Sequence, residues 1–166
     1  MTAHQTAPKG YSTTQIALHW GIAALVAGQY FFKDAITGAW AAIREGRNYD
    51  FDPLILAHVV AGALILLLVV WRLALRLKRG APPPPENEPA PLKTLSHVAH
   101  WAFYALLAAM SVTGLVAWFG DATGAAQAHN VLKVALLALV ALHMLAVPFH
   151  RVVLKNNVMQ RMVRPN

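Results

Sequence analysis

An all-α membrane protein is the fold class this sequence predicts: a four-helix transmembrane up-and-down bundle in one domain, residues 1–166. Three observations predict it. Hydrophobic residues make up 57% of the chain and charged residues only 13%, about half the charge of a soluble domain. Four apolar stretches, 13–32, 53–77, 95–119 and 126–154, each hold at least the ~20 residues that cross ~30 Å of hydrocarbon. None alternates as barrel strands do, and only helices or closed barrels satisfy their backbone groups in lipid.

The elements follow in order. Residues 1–12 are polar, with Pro8 and Gly10, and lack a signal-peptide pattern. The first apolar stretch is therefore expected to stay as the first helix. Ser12, Thr13 and Thr14 each suit its N-cap. His19 lies about 9 Å inside that end by helix rise, followed by Trp20 at the depth of an aromatic belt. The connection 33–52 is longer than a tight turn, and 36–43 could form a short surface helix. Pro53 suits the first turn of the second helix. That helix carries His58 near its start and Gly62 one turn deeper, where a missing side chain admits a flat group or a neighbouring helix. Arg72 and Arg76 stand at its far end, where long side chains can snorkel. The linker 80–91 contains four consecutive prolines, 82–85. It predicts an extended, stiff spacer. The third helix begins with His97 and His100. The fourth carries His129, His143 and His150. His4 falls in the polar tail and is incidental.

The charge of +7 is informative by position. With four spans, one side holds Lys9, Arg72, Arg76, Lys78, Arg79, Lys93, Arg151, Lys155, Arg161 and Arg164. The other holds Lys33, Arg44, Arg47 and Lys133. Ten against four puts both termini in the cytoplasm by the positive-inside rule. Basic loops against anionic lipid headgroups account for the charge, so no nucleic-acid partner is needed. Lys33, Arg44, Arg47 and Lys133 could draw an anionic donor to the outer face, although Asp34, Glu45, Asp50 and Asp52 dilute that field. The chain has no cysteine, which removes disulfides, thiolate iron–sulfur sites and c-type haem attachment. Ser12, Ser96 and Ser111 have no acid–base companions for nucleophilic catalysis.

His129 and His143 are fourteen residues apart, nearly four turns. They leave the fourth helix about 40° apart and about 21 Å apart along its axis. Histidine inside hydrocarbon is costly and implies a partner. Sorted by depth, His58 and His129 lie near the outer face. His19 and His143 lie in the inner half, with His97, His100 and His150. Neutral imidazole ligates iron, zinc or copper. Two bis-histidine haems, one per leaflet and both anchored on the fourth helix, satisfy all four residues. An ion site using His58 and His129, and plain interhelical hydrogen bonding, are the alternatives. His100 and His150 are candidates for a quinone pocket, where imidazole can relay the protons of quinone reduction. His97 shares that interface.

The sequence resembles the bacterial cytochrome b561 family of four-helix, di-haem membrane cytochromes, and within it the superoxide oxidases. Tyr11-Ser12 leading to Leu18-His19-Trp20 carries the resemblance at the first helix. His58-Val59 followed by Val70-Trp71-Arg72-Leu73 and Arg76-Leu77 carries it at the second. His97-Val98-Ala99-His100, then His129, Leu142-His143 and His150, complete it over nearly the whole chain. The resemblance implies two haems b: His19 with His143 on the inner iron, His58 with His129 on the outer. It also implies ubiquinone exchange at the cytoplasmic side near His100 and His150. The host membrane would be the bacterial inner membrane, and the activity electron transfer from a periplasmic donor, superoxide, to ubiquinone. A non-catalytic cytochrome b carrier subunit, serving a protein partner or the quinol pool, is the alternative function.

Overall fold

The computed structural model describes Pro8 and residues 10–165. His4 and Lys9 lie outside the described residues. The described residues form five α-helices: α1 (Thr13–Phe31), α2 (Lys33–Arg44), α3 (Pro53–Arg79), α4 (Ala90–Gly120) and α5 (Thr123–Val152). A 3-10 turn, Val158–Met162, follows.

Each boundary has a local cause. Ser12 caps α1 through a capping box: Gln15 N donates to Ser12 Oγ at 3.2 Å, and Ser12 N to Gln15 Oε1 at 3.0 Å. Asp52 caps α3 by accepting from Leu54 N at 2.8 Å, with Pro53 in the first turn. Gly80 ends α3 at φ +85°, a conformation that favours glycine. α4 starts at Ala90, five residues before the expected 95, because Pro89 and Pro91 suit a helix start. Asp121, left-handed at φ 46°, makes the tight corner into α5. The expected surface helix 36–43 is longer, spanning Lys33–Arg44 and separated from α1 by Phe32 alone.

α3 packs against α1, α2 and α4, and α4 packs against α5. The long helices alternate in direction. Gln15 at the start of α1 donates to Gly80 O at the end of α3 (3.2 Å), and Gln29 near the end of α1 donates to His58 O near the start of α3 (2.9 Å). Tyr30 Oη donates to Lys133 O at 2.7 Å, joining α1 to α5 at the α2 end. The small core is Ile22, Ile65 and Val69, with Leu25, Val26, Leu68, Tyr104 and Leu107 around it.

Three helices among the described residues, α3, α4 and α5, are long and apolar enough to cross a membrane. The sequence predicts four. α1 has 19 residues, but Thr13, Thr14, Gln15, His19 and Gln29 dilute its apolar character. The exteriors match a lipid solvent: Leu67, Val131, Met144 and Leu145 are each about two-thirds exposed, a density of apolar surface that water does not tolerate.

Candidate functional site

Two groups of histidines lie between the helices. The first is at the α2 end, around a cavity of about 200 Å³, over ten times the ~15 Å³ one water needs. Val26, Gln29 and Tyr30 of α1, Ile36 and Trp40 of α2, His58 and Gly62 of α3, Met110 and Gly114 of α4, and His129 of α5 line it. The wall is mostly apolar, as in cofactor pockets.

His129 is held from α4. Its Nδ1 is 2.9 Å from Met110 O and 3.4 Å from Thr113 Oγ1. A carbonyl only accepts, so Nδ1 carries the hydrogen and Nε2 keeps its lone pair. A backbone acceptor of this kind fixes ring and tautomer in metal-ligating histidines. Thr113 gives its own hydroxyl to Ala109 O at 2.7 Å. Gly114 makes room: a Cβ there would stand 3.1 Å from His129 Cε1 and 3.2 Å from Nδ1. On the facing wall, His58 Nδ1 is buried with no hydrogen-bond partner. Two imidazoles thus line one apolar cavity, one with Nε2 free and the other with an orphaned nitrogen. That donor set fits an iron macrocycle held by two axial histidines. Gly62 faces Gln29, whose Nε2 is 3.6 Å from where a Cβ would be. Gly62 thus meets a side chain of the neighbouring helix and lines the cavity as well.

The second group surrounds His143 at the end that carries the linker and the C-terminal turn, called the terminal end below. The His143 ring centre is 6.2 Å from those of His19 and His100 and 5.2 Å from that of Phe103. Two imidazoles sharing one metal have centres about 6 Å apart, from ~2 Å per metal–nitrogen bond and ~1 Å from nitrogen to ring centre. Both pairs meet that span. His100 Nδ1 is 2.5 Å from Ser96 O, so it too is oriented by a backbone carbonyl. The sequence places His100 with His150; the structure places it with His143. Among the described residues no three metal-ligating side chains converge, so what this fold offers is pairs.

Arg72 reaches toward the end of α3 and the first turn of α1. It donates to Gln15 O inside the bundle, within electrostatic reach of His19, His100 and His143. The Arg76 guanidinium lies 5.8 Å from the Trp101 ring centre and 5.9 Å from that of Tyr104, a cation–π arrangement. Tyr11, just before α1, is packed near both arginines. Burial pushes its phenol above the usual value, although the arginines pull it down. His97 is exposed and accepts from Trp101 Nε1 at 3.0 Å, outside the group. His150 Nε2 lies 3.7 Å from Glu88 Oε1.

The outer cations divide. Lys33 and Lys133 line the cavity, but Lys33 is paired with Asp34 at 2.6 Å and Lys133 bonds Asn130 at 3.2 Å. Arg47 is paired with Glu45. Sequence reasoning missed Glu88 and the Met110 carbonyl. Glu88 is buried by how the linker folds back, and a carbonyl carries no sequence signal at all.

The chain is 31% identical over 163 residues to a protein named cytochrome b562 from Cereibacter sphaeroides, covering 96% of this chain and 99% of that protein. It is 28% identical over 180 residues to a probable superoxide oxidase CybB of Yersinia pestis, covering 93% and 96% respectively. A family model described as prokaryotic cytochrome b561 matches residues 10–165. With histidine pairs between apolar helices and a match running almost end to end, the chain belongs to the prokaryotic cytochrome b561 family.

Proposed function

We propose that this chain is a di-haem b oxidoreductase of the bacterial inner membrane that carries electrons from superoxide on the periplasmic face to ubiquinone on the cytoplasmic face. The observation that carries it is the pair of histidine groups on α5. His129 and His143 project from one helix about 21 Å apart along its axis, each facing histidines of other helices. A bound haem b supplies reversible one-electron chemistry. His58 and His129 hold the outer group, and His19 and His143 the inner. Met110 and Gly114 orient His129, while the apolar walls keep water away. Arg72 provides positive charge beside the inner pair. α1 is the fourth span, and both termini are cytoplasmic. Lys33 and Lys133 mark where an anionic donor approaches. His100 and His150 serve the quinone end. The relative named probable superoxide oxidase supports the donor.

The test begins with a pyridine haemochrome assay, with two haems b per chain as the expected result. Alanine at His58 or His129 should remove the outer haem, and alanine at His19 or His143 the inner. A variant that keeps both haems refutes that ligand. His100→Ala resolves the geometric tie around His143: it should keep both haems if His19 is the ligand. Stopped-flow spectra should show haem reduction by superoxide and reoxidation by ubiquinone.

A second reading, a cytochrome b carrier subunit serving a protein partner or the quinol pool, is favoured by the 31% identical relative, named simply cytochrome b562. It predicts haem reduction by a copurifying partner or quinol with superoxide scavenged, and none by superoxide.

A further inference from the structure

The terminal end holds a third polar group that neither histidine cluster uses. Glu88 belongs to the proline-rich linker, yet its side chain is only 3% exposed. Its Oε1 is 3.7 Å from His150 Nε2. Glu88 Oε1, His150 Nδ1 and Asn156 Nδ2 are all buried without a hydrogen-bond partner. Buried polar atoms are nearly always satisfied, and three orphans at one end of the fold mark a place where water or a ligand belongs.

The linker is built to hold this carboxyl inward. Glu88 N donates to Pro85 O at 3.1 Å, which closes a turn just before Pro89 and α4. Lys93 Nζ donates to Glu86 O at 3.3 Å and Arg161 to Pro83 O at 2.7 Å, clamping the segment from both sides. The His150 backbone is tied down in turn, because Asn156 N donates to its carbonyl at 2.8 Å. One imidazole nitrogen therefore faces a carboxyl group, and the other is buried and unpaired. An imidazole can accept a proton at one nitrogen and release one from the other.

We propose that Glu88 delivers cytoplasmic protons to His150, which passes them to the quinone reduced at this end. The proposal rests on the reading above that a quinone is reduced there. In the overall step, two superoxide anions each lose one electron and become O2. One quinone takes both electrons and two protons and becomes the quinol. For each proton, the Glu88 O–H bond breaks as an N–H bond forms at His150 Nε2. The Nδ1–H bond of His150 then breaks toward a quinone oxygen, solvent reprotonates the carboxylate, and before the second proton a water relay takes the hydrogen from Nε2 and returns one to Nδ1, restoring the starting tautomer. The 3.7 Å gap is bridged by one water or closed by a small movement. Among the described residues, the charged and titratable groups at this end include Glu86, Lys93, Arg151 and Arg161, with Tyr11, Arg72, Arg76, Lys78, Arg79 and His100 on the facing elements.

The experiment is stopped-flow reoxidation of the superoxide-reduced, full-length holoprotein by a short-chain ubiquinone between pH 6 and 9. Haem content confirms that each variant is folded. Wild-type reoxidation should be nearly flat with pH. Glu88→Gln should slow it at least tenfold at pH 8 and make it fall by about tenfold per pH unit, as expected when protons come straight from solvent. Added formate should restore the rate, and Glu88→Asp should keep most of it. Glu86→Gln, at an exposed neighbour, should match wild type. If Glu88→Gln holds too little haem, Glu88→Ala, which also removes the carboxyl, decides: a steep pH profile supports the proposal and a flat one at the wild-type rate overturns it. If wild type is reoxidised and Glu88→Gln matches it in rate and pH profile, the proposal is wrong. If wild type itself is not reoxidised by quinone, the quinone reading fails and takes the proposal with it.

Discussion

Gly114 positions His129 by having no side chain. The His129 ring lies where a Cβ on α4 would crowd it, at 3.1 Å, and the bond to Met110 O keeps the ring from retreating. Gly114→Ala should therefore turn His129 away from His58 at an overpacking cost of about 1–3 kcal/mol. The expected outcome is haem stoichiometry falling from two toward one, with the remaining spectrum matching that of His129→Ala. Tyr11 gives a separate residue-scale test. Its folded pKa is raised, chiefly by burial, so the phenol stays neutral longer in the folded state than in the unfolded one. The stability this supplies is complete below the unfolded pKa of about 10 and is lost as pH rises through the folded value. Subtracting a Tyr11→Phe titration at 295 nm from that of wild type should leave a component with its midpoint above 10. The histidines were legible because hydrocarbon makes a polar side chain conspicuous. The groups that aim them were not: a backbone carbonyl and an absent methyl leave no mark in a sequence.

At the scale of elements, α3, α4 and α5 were readable because spanning lipid imposes length and apolarity together. Their ends were less so. α4 begins at Ala90 rather than 95, since polar Lys93 and Thr94 extend a helix beyond its apolar part. α2 reaches Lys33 because α1 and α2 are nearly one helix, interrupted at Phe32. α1 is the instructive case. Its 19 residues rise about 28 Å, close to the ~30 Å of a hydrocarbon core, while its polar residues serve the interior through Gln15, His19 and Gln29. A helix that spends polarity inward looks less like a span from composition. The absence of native cysteine makes its crossing directly testable. Single cysteines at Arg47 and Glu86 (Arg47→Cys, Glu86→Cys) should divide: an impermeant maleimide added to spheroplasts should label the first and not the second. Alanine at neither site changes that logic, and labelling of both would refute the proposed topology.

For the whole molecule, the depth order of the histidines followed from helix rise alone. Their grouping did not. Fourteen residues on α5 place two rings in register, but which neighbours face them depends on how α1 and α4 rotate about α3 and α5. That rotation brought His100 beside His143 and left His97 outside. Glu88 was the least legible residue of all. A carboxylate among prolines reads as solvated linker until the chain folds the linker against the end of α5, and only three-dimensional packing supplies that information.

The C-terminal turn ties the beginning of the protein to its end. Trp20 Nε1 on α1 donates to Met162 O at 2.8 Å, 142 residues away in sequence, and Arg161 reaches back to Pro83 O. α1 therefore receives this partner only after α5 and the turn that follows it have been synthesised. Assembly acquires a direction: the α2 end can form once α5 has begun, through Tyr30 and Lys133, while the neighbourhood of His19 waits for the turn around Met162. The order of manufacture leaves the terminal end as the later door for a cofactor to enter.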